Sequence, residues 1–342
     1  FLLMDLTHKV PIYSSKLTLG MIEGKLAEHN IKSPKFREVQ DGSTITLGAF
    51  NVTFFSMTHS IPAALGVFMS TPAGTVMHTG DFKLDLTPID GRRPNFHAIN
   101  KFGAQGVDLL LSDSTNATRP GFTQSEAAVG PSLRHIIKNA PGRVFVASFS
   151  SHIHRLQQIC DRIPDEKIVV LCTGSQGEPL SALARMANGE HKSLSTHESD
   201  TVIISATPVP GNEKSVQAII NSLSKIGCEI YDKSRMLVHV SGHGSQEELK
   251  LMLAMARPRY FMPVHGEAQH LRAHAELGVQ MGVPASNIFI LDNGDSLEMC
   301  RHKVRRGHAV ESGVVYVDGG TVTEANPTVL RDRQRLAQDG VV

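Results

Sequence analysis

Three positions place a metal-seeking side chain directly after an apolar strand and before a turn: His59 in FFSMTHSIP, Asp81 in VMHTGDFK and His265 in YFMPVHGE. Imidazole and carboxylate are ligand types that zinc prefers, and a catalytic zinc keeps one position open for water. Taken singly, each reads first as a hydrogen-bonded strand-end residue; together they form a candidate ligand set. A second pair also sits at strand ends, Asp113 in LLLSDST and His243 in VHVSGHGS. A histidine held by a carboxylate suits a general acid, because the carboxylate fixes its tautomer and raises its pKa. An Asx-turn or helix cap is the structural alternative for Asp113. Just before His243, the string His239, Val240, Ser241, Gly242 leads into a helix expected to start near Ser245. Backbone amides at such a start bind phosphate without any net basic charge.

The elements that must position these residues follow one recurring unit: a short apolar strand, a loop of small polar residues, then an amphipathic helix. The unit is expected at 143–158, 200–226, 236–255 and 260–281, with further strands at 107–111 and 168–172. Such alternation argues for an α/β architecture with polar loops gathered at the carboxyl ends of the strands. The first hundred residues read instead as a strand-rich meander, with strands expected in 43–59 and 74–79.

With 342 residues, 41% of them hydrophobic, the chain has length and apolar content for two compact domains. A formal net charge of +1 means that nucleic acid would be held by a local groove rather than by overall charge. Of the 17 histidines, His29, His97, His135, His191, His197, His270, His274 and His308 lie on helical or polar stretches and read as surface residues. The widely spaced Cys160, Cys172, Cys228 and Cys300 form no CxxC pair and suggest buried free thiols in a reducing cytoplasm. No apolar run approaches the ~18 residues of a membrane span.

In order along the chain, THSIP, HTGDFK, LLLSDSTNA, SFSSHIHRLQQ, CTGSQGEPLSALARMANG, PVPGNE, HVSGHGSQEE, FMPVHGE and YVDGG closely resemble bacterial ribonuclease J. The resemblance runs from about residue 10 to about residue 320. It implies a metallo-β-lactamase αββα-type sandwich carrying an inserted α/β β-CASP domain. The expected division is 1–118 for the first part of the metallo-β-lactamase domain, 119–246 for β-CASP, 247–320 for the second part and 321–342 for a tail.

Carried over residue by residue, the resemblance makes His59, Asp81 and His265 ligands of two zincs, with Asp81 bridging. Asp113 matches the acidic β-CASP motif, and His243 resembles the general acid. His239, Val240, Ser241, Gly242 and His243 match the loop holding the RNA phosphate, and Ser148 and Ser151 line the same pocket. Asp318 resembles a structural calcium position, a plain turn aspartate being the alternative. The activity implied is two-metal hydrolysis of RNA phosphodiesters, internally and from 5′-monophosphate ends. Implied partners are RNA, one or three further copies of the chain and other RNA-decay proteins, with no membrane.

Two departures stand out. The family's HxHxDH string occurs nowhere in the chain and is expected shortly before residue 1. At 162–167 the family has several tens of residues of β-CASP helices, and here RIPDEK joins helix to strand almost directly. A non-catalytic relative that binds RNA or a partner is one competing reading; an enzyme of the same fold acting on DNA or a small thioester is another. The SGHG and SDST motifs speak against the small substrate.

Overall fold

In the strand Phe50–Ser56, Val52 and Phe54 bury toward one face while Phe55 and the following Met57 enter a larger core on the other. Successive side chains of a strand point to opposite faces, so this sheet is covered on both sides. A computed structural model describes residues 10–28, 31, 34–161, 163, 167–209, 211–313 and the backbone of 316–318 and 321–323.

The sheet has six strands in the order Tyr260–Val264, Leu109–Asp113, Gly74–His78, Leu65–Thr71, Phe50–Ser56, Thr44–Leu47. The last four form the expected antiparallel meander, and the first three are mutually parallel. Parallel pairing sets Val264 opposite Asp113 and His78 opposite Leu111, so the carboxyl ends of three strands meet at one edge. Polar loops collect there because the strand interiors are apolar and their ends must turn. Fully buried Phe55, Phe82 and Phe261 lie in the core beneath, each contributing about 2 kcal/mol.

A second sheet is wholly parallel, in the order Glu229–Tyr231, Thr201–Ile204, Val144–Ala147, Val169–Cys172. Thr201–Ile204 and Val144–Ala147 are buried throughout, as expected for strands covered on both faces. Helices Ala182–Ala187 and Glu213–Ile226 pack on one side, and Gly130–Asn139 and Ile153–Cys160 on the other. The whole is an α/β sandwich with an inserted α/β unit.

Several expectations change. The first hundred residues hold two helices besides the strands, Lys16–Glu28 and Phe96–Gln105, the second capped by the Asn95 side chain accepting from the Ala98 amide at 2.9 Å. Residues 236–240, apolar enough for a strand, form none, because the Val238 carbonyl is taken by the side chains of Arg155 and Ser205 at 2.7 Å each. His274 is not on the surface: it is fully buried against Phe261, with Nδ1 2.9 Å from the Ser114 hydroxyl. All four cysteines are free, yet Cys160 and Cys300 are exposed. His29, most of 162–167, and the side chain of Asp318 lie outside the described residues. Among the described residues, no helix is long and apolar enough to cross a membrane.

Candidate metal and phosphate site

Each strand end at the converging edge delivers one of the singled-out residues. Asp81 follows Gly74–His78, Asp113 ends Leu109–Asp113, and His265 follows Tyr260–Val264. His59 comes from the loop after Phe50–Ser56, and His243 from the loop before helix Gln246–Ala256. His59, Asp81 and His243 present donor atoms within 4.8 Å of one another, and so do Asp113, His243 and His265.

Asp113 is the hub. Its Oδ2 accepts from His243 Nδ1 at 2.6 Å and the Phe82 amide at 3.3 Å; its Oδ1 accepts from the Thr115 hydroxyl at 2.7 Å, the Thr115 amide at 3.0 Å and His265 Nδ1 at 3.2 Å. Burial alone would raise this carboxyl, but the hydrogen bonds from His243 and His265 outweigh it and hold the group well below the usual carboxylate range. The Asx-turn alternative is also present, since the Thr115 amide bond is that turn.

His59 is held from behind. A carbonyl can only accept, so the 2.9 Å contact fixes the His59 proton on Nδ1, donated to Gly242 O. Nε2 is then an acceptor, taking a hydrogen bond from the Ser60 hydroxyl at 3.2 Å with Asp81 Oδ2 4.0 Å away. This is the arrangement by which a metal-binding histidine is oriented, its other nitrogen donating to a carbonyl. Burial, then the neighbouring His243, lowers the His59 pKa to about 4, keeping the imidazole in the neutral form that binds metal. His265 has its pKa raised, chiefly by the hydrogen bond to Asp113, and its Nδ1 lies 3.4 Å from Asp81 Oδ1. Its backbone is left-handed, φ 56°, an uncommon conformation for a residue with a Cβ. The Ser114 amide fixes that turn by donating to its carbonyl at 3.3 Å. The imidazole and carboxylate donors, oriented in this way, fit zinc.

The loop 239–243 is pinned by polar side chains. Asn116 Nδ2 donates to Ser241 Oγ at 2.9 Å and to the His243 carbonyl at 2.8 Å, and the Thr123 hydroxyl donates to the same carbonyl at 2.8 Å. Gly242 is required by space: a Cβ there would lie 2.7 Å from His59 Nδ1 and from Ser60 Oγ. Ser148 is buried at the end of Val144–Ala147, beside Ser205 on the neighbouring strand. Among the described residues, Ser148 and Ser151 make no hydrogen bond to the loop. His239 faces His152, ring centroids 6.3 Å apart, and burial, then Arg155, lowers its pKa to about 3.

Sequence reading missed several contributors. His78 lies half-buried beside the site, its pKa lowered by burial, with Nδ1 accepting from the Gly80 amide at 2.9 Å. HTGD, with histidine and aspartate three apart, was its only signal. Thr115, Asn116 and Thr123, which bind the hub and the loop, look like ordinary turn residues in SDSTNATRPGFT.

Known proteins resemble the chain over most of its length. The family model for the ribonuclease J β-CASP domain matches residues 160–223, and that for the Zn-dependent metallo-hydrolase RNA specificity domain matches 228–290. Ribonuclease J 1 of Streptococcus pyogenes is 38% identical over 97% of this chain and 67% of its own length. Ribonuclease J of Thermus thermophilus is 39% identical over 97% and 66%, and ribonuclease J2 of Bacillus subtilis 38% identical over 97% and 68%. The chain thus spans about two thirds of the length of these relatives. The alignments run over 377 or 378 positions, more than the 342 residues of the chain, so the relatives carry positions with no counterpart here. A crystal structure of a protein of unknown function from Enterococcus faecalis shares the fold, with a TM-score of 0.57 and 12% identity over 87% of this chain and 76% of that one.

Proposed function

Because the chain belongs to the ribonuclease J family, a family of zinc-dependent nucleases, we propose that its converging strand ends hydrolyse RNA phosphodiesters, internally and from 5′-monophosphate ends. The observation that carries this reading is the 2.6 Å contact between Asp113 and His243, made across 130 residues of sequence where two groups of histidine and carboxylate donors share His243.

His59, Asp81 and His265 are the residues that would hold zinc, with two ions per site. Zinc there supplies Lewis acidity and a nucleophile at neutral pH. The chain's own residues do the rest. Asp113 accepts the His243 Nδ1 proton and so orients the ring, and a doubly protonated His243 would give its second proton, on Nε2, to the departing oxygen and be left as neutral imidazole. The amides of Val240, Ser241 and Gly242, with the side chains of His239 and Ser241, bind the phosphate, and the loop of Ser148 and Ser151 is assigned to the same pocket by resemblance. Neutral His239 accepts or donates one hydrogen bond there without adding charge.

The inserted unit is taken as 119–246. The four-stranded sheet lies wholly inside it, while the six-stranded sheet draws on 44–113 and 260–264. The flanking parts are 1–118 and 247–320, with 321–342 as a tail. Asp318 is a candidate calcium ligand by resemblance alone, and the working form is a cytoplasmic dimer or tetramer. Elemental analysis tests the metal reading. The full-length protein is expected to hold about two zincs per chain, reduced in His59→Ala and Asp81→Asn; a protein free of zinc after purification without chelator would overturn it.

A further inference from the structure

Residues 236–240 carry the phosphate loop, yet no strand ladder fixes them. What fixes them is Arg155, a fully buried guanidinium on helix Ile153–Cys160. Its Nη1 donates to the Val238 carbonyl at 2.7 Å and to Ser205 Oγ at 2.5 Å, and Ser205 Oγ donates to the same carbonyl at 2.7 Å. Val238 immediately precedes His239. On its other side Arg155 forms a two-pronged pair with Glu126, Nε to Oε1 at 2.5 Å and Nη2 to Oε2 at 2.8 Å.

Glu126 is itself anchored to the metal-ligand side. Its amide donates to Asp85 Oδ2 at 3.0 Å, and the Asp85 amide donates to the hydroxyl of Thr58, next to His59, at 3.0 Å. Buried Lys83 closes the circuit, 3.6 Å from Asp85 and donating to the Gln124 carbonyl at 3.1 Å. An unbroken buried path therefore runs from the neighbour of His59, through Asp85, Glu126 and Arg155, to the residue before His239. Buried ion pairs are costly to desolvate and no strong evidence of stability by themselves, whereas fixing one geometry is a role they do serve. A planar guanidinium that grips a carboxylate with one edge and a carbonyl with another sets both distance and angle, which lysine cannot do.

We infer that Arg155, braced by Glu126, is the positioning residue that sets the 239–243 loop against the metal-ligand strand ends. Its effect on cleavage rests on the nuclease reading; its effect on the loop does not. The experiment compares full-length wild type, Arg155→Met, Arg155→Lys and Glu126→Gln by hydrogen exchange resolved to peptides and by kinetics on a 5′-monophosphorylated RNA. Arg155→Met is expected to speed exchange in 236–243 while leaving 144–147 and 260–264 protected. It should lower kcat on the order of tenfold to a hundredfold with KM changed less, as misplacement from a distance does. Arg155→Lys should recover part of both effects. If Arg155→Met does not fold, Glu126→Gln, which keeps the shape of the pair, decides by the same local exchange. Unchanged exchange in 236–243, or a rise spread evenly over both sheets, overturns the inference. A wild type that does not cleave RNA overturns the nuclease reading instead, and the exchange pattern still decides this one.

Discussion

At Asp113 five donors converge on two carboxylate oxygens, so the group organises the histidines around it. Asp113→Asn keeps the shape but puts an amide where His243 or His265 must donate. We expect cleavage to fall on the order of a hundredfold, the range of a lost acid–base group, with zinc content little changed; an Asn variant as active as wild type would remove Asp113 from the proton pathway. Gly242 is the second sensitive position. A Cβ at 2.7 Å from His59 Nδ1 cannot be accommodated without moving the imidazole or the loop. Gly242→Ala should lose zinc and activity together, measured on one preparation, whereas full zinc retention would mean that the loop alone yields. Asp113 was legible in the sequence because it closes an apolar run at a strand end, whereas Gly242 follows no strand and showed only as a small residue before a helix. His274, buried and polar, was not: an amphipathic helix read without its partners does not show which of its histidines faces the core.

Helix Gln246–Ala256 is fixed at its start by Glu248, nearly inaccessible, which accepts from three amides: Thr123 at 2.7 Å, and Leu84 and Ser245 at 2.8 Å each. One side chain thereby ties the helix to the segment after Asp81 and to the loop that bonds the His243 carbonyl. Glu248→Ala leaves buried donors without an acceptor and should cost on the order of 3 kcal/mol, read as a lower denaturation midpoint; a change under about 1 kcal/mol would mean that water replaces the carboxylate. The strand-loop-helix units at 143–158, 200–226 and 260–281 were legible from periodicity alone. Residues 236–240 were not, because MLVHV has the composition of a strand and only tertiary contacts to its carbonyl groups decide otherwise. For the same reason Glu126 and Arg155, charged residues beside ordinary helical sequence, gave no sign of being buried together.

For the molecule as a whole, two sheets meet their chemistry at carboxyl ends, and burial keeps several histidines neutral. His239 and His274 are both held down to about 3 from an ordinary 6.5. Their folded-state pKa lies below the unfolded one, so their contribution is complete above pH ~6.5 and is lost as pH falls toward 3. His265 has the opposite sign, favouring the fold while protonated and losing that contribution as pH rises through its raised pKa. The denaturation midpoint should therefore drop between pH 6.5 and 4, and less steeply in His274→Leu; equal slopes would show that His274 does not titrate with unfolding. The α/β class and the convergence of Asp113 with His243 were visible in the chain itself, whereas the circuit joining the two sheets was not. The most direct test of the central claim is cleavage of a 5′-monophosphorylated RNA by the full-length protein, with His243→Ala beside it. The expected result is zinc-dependent cleavage in the wild type, lost in the variant while zinc is retained. Cleavage undiminished in His243→Ala would contradict the account, and so would a zinc-loaded wild type that leaves the RNA intact.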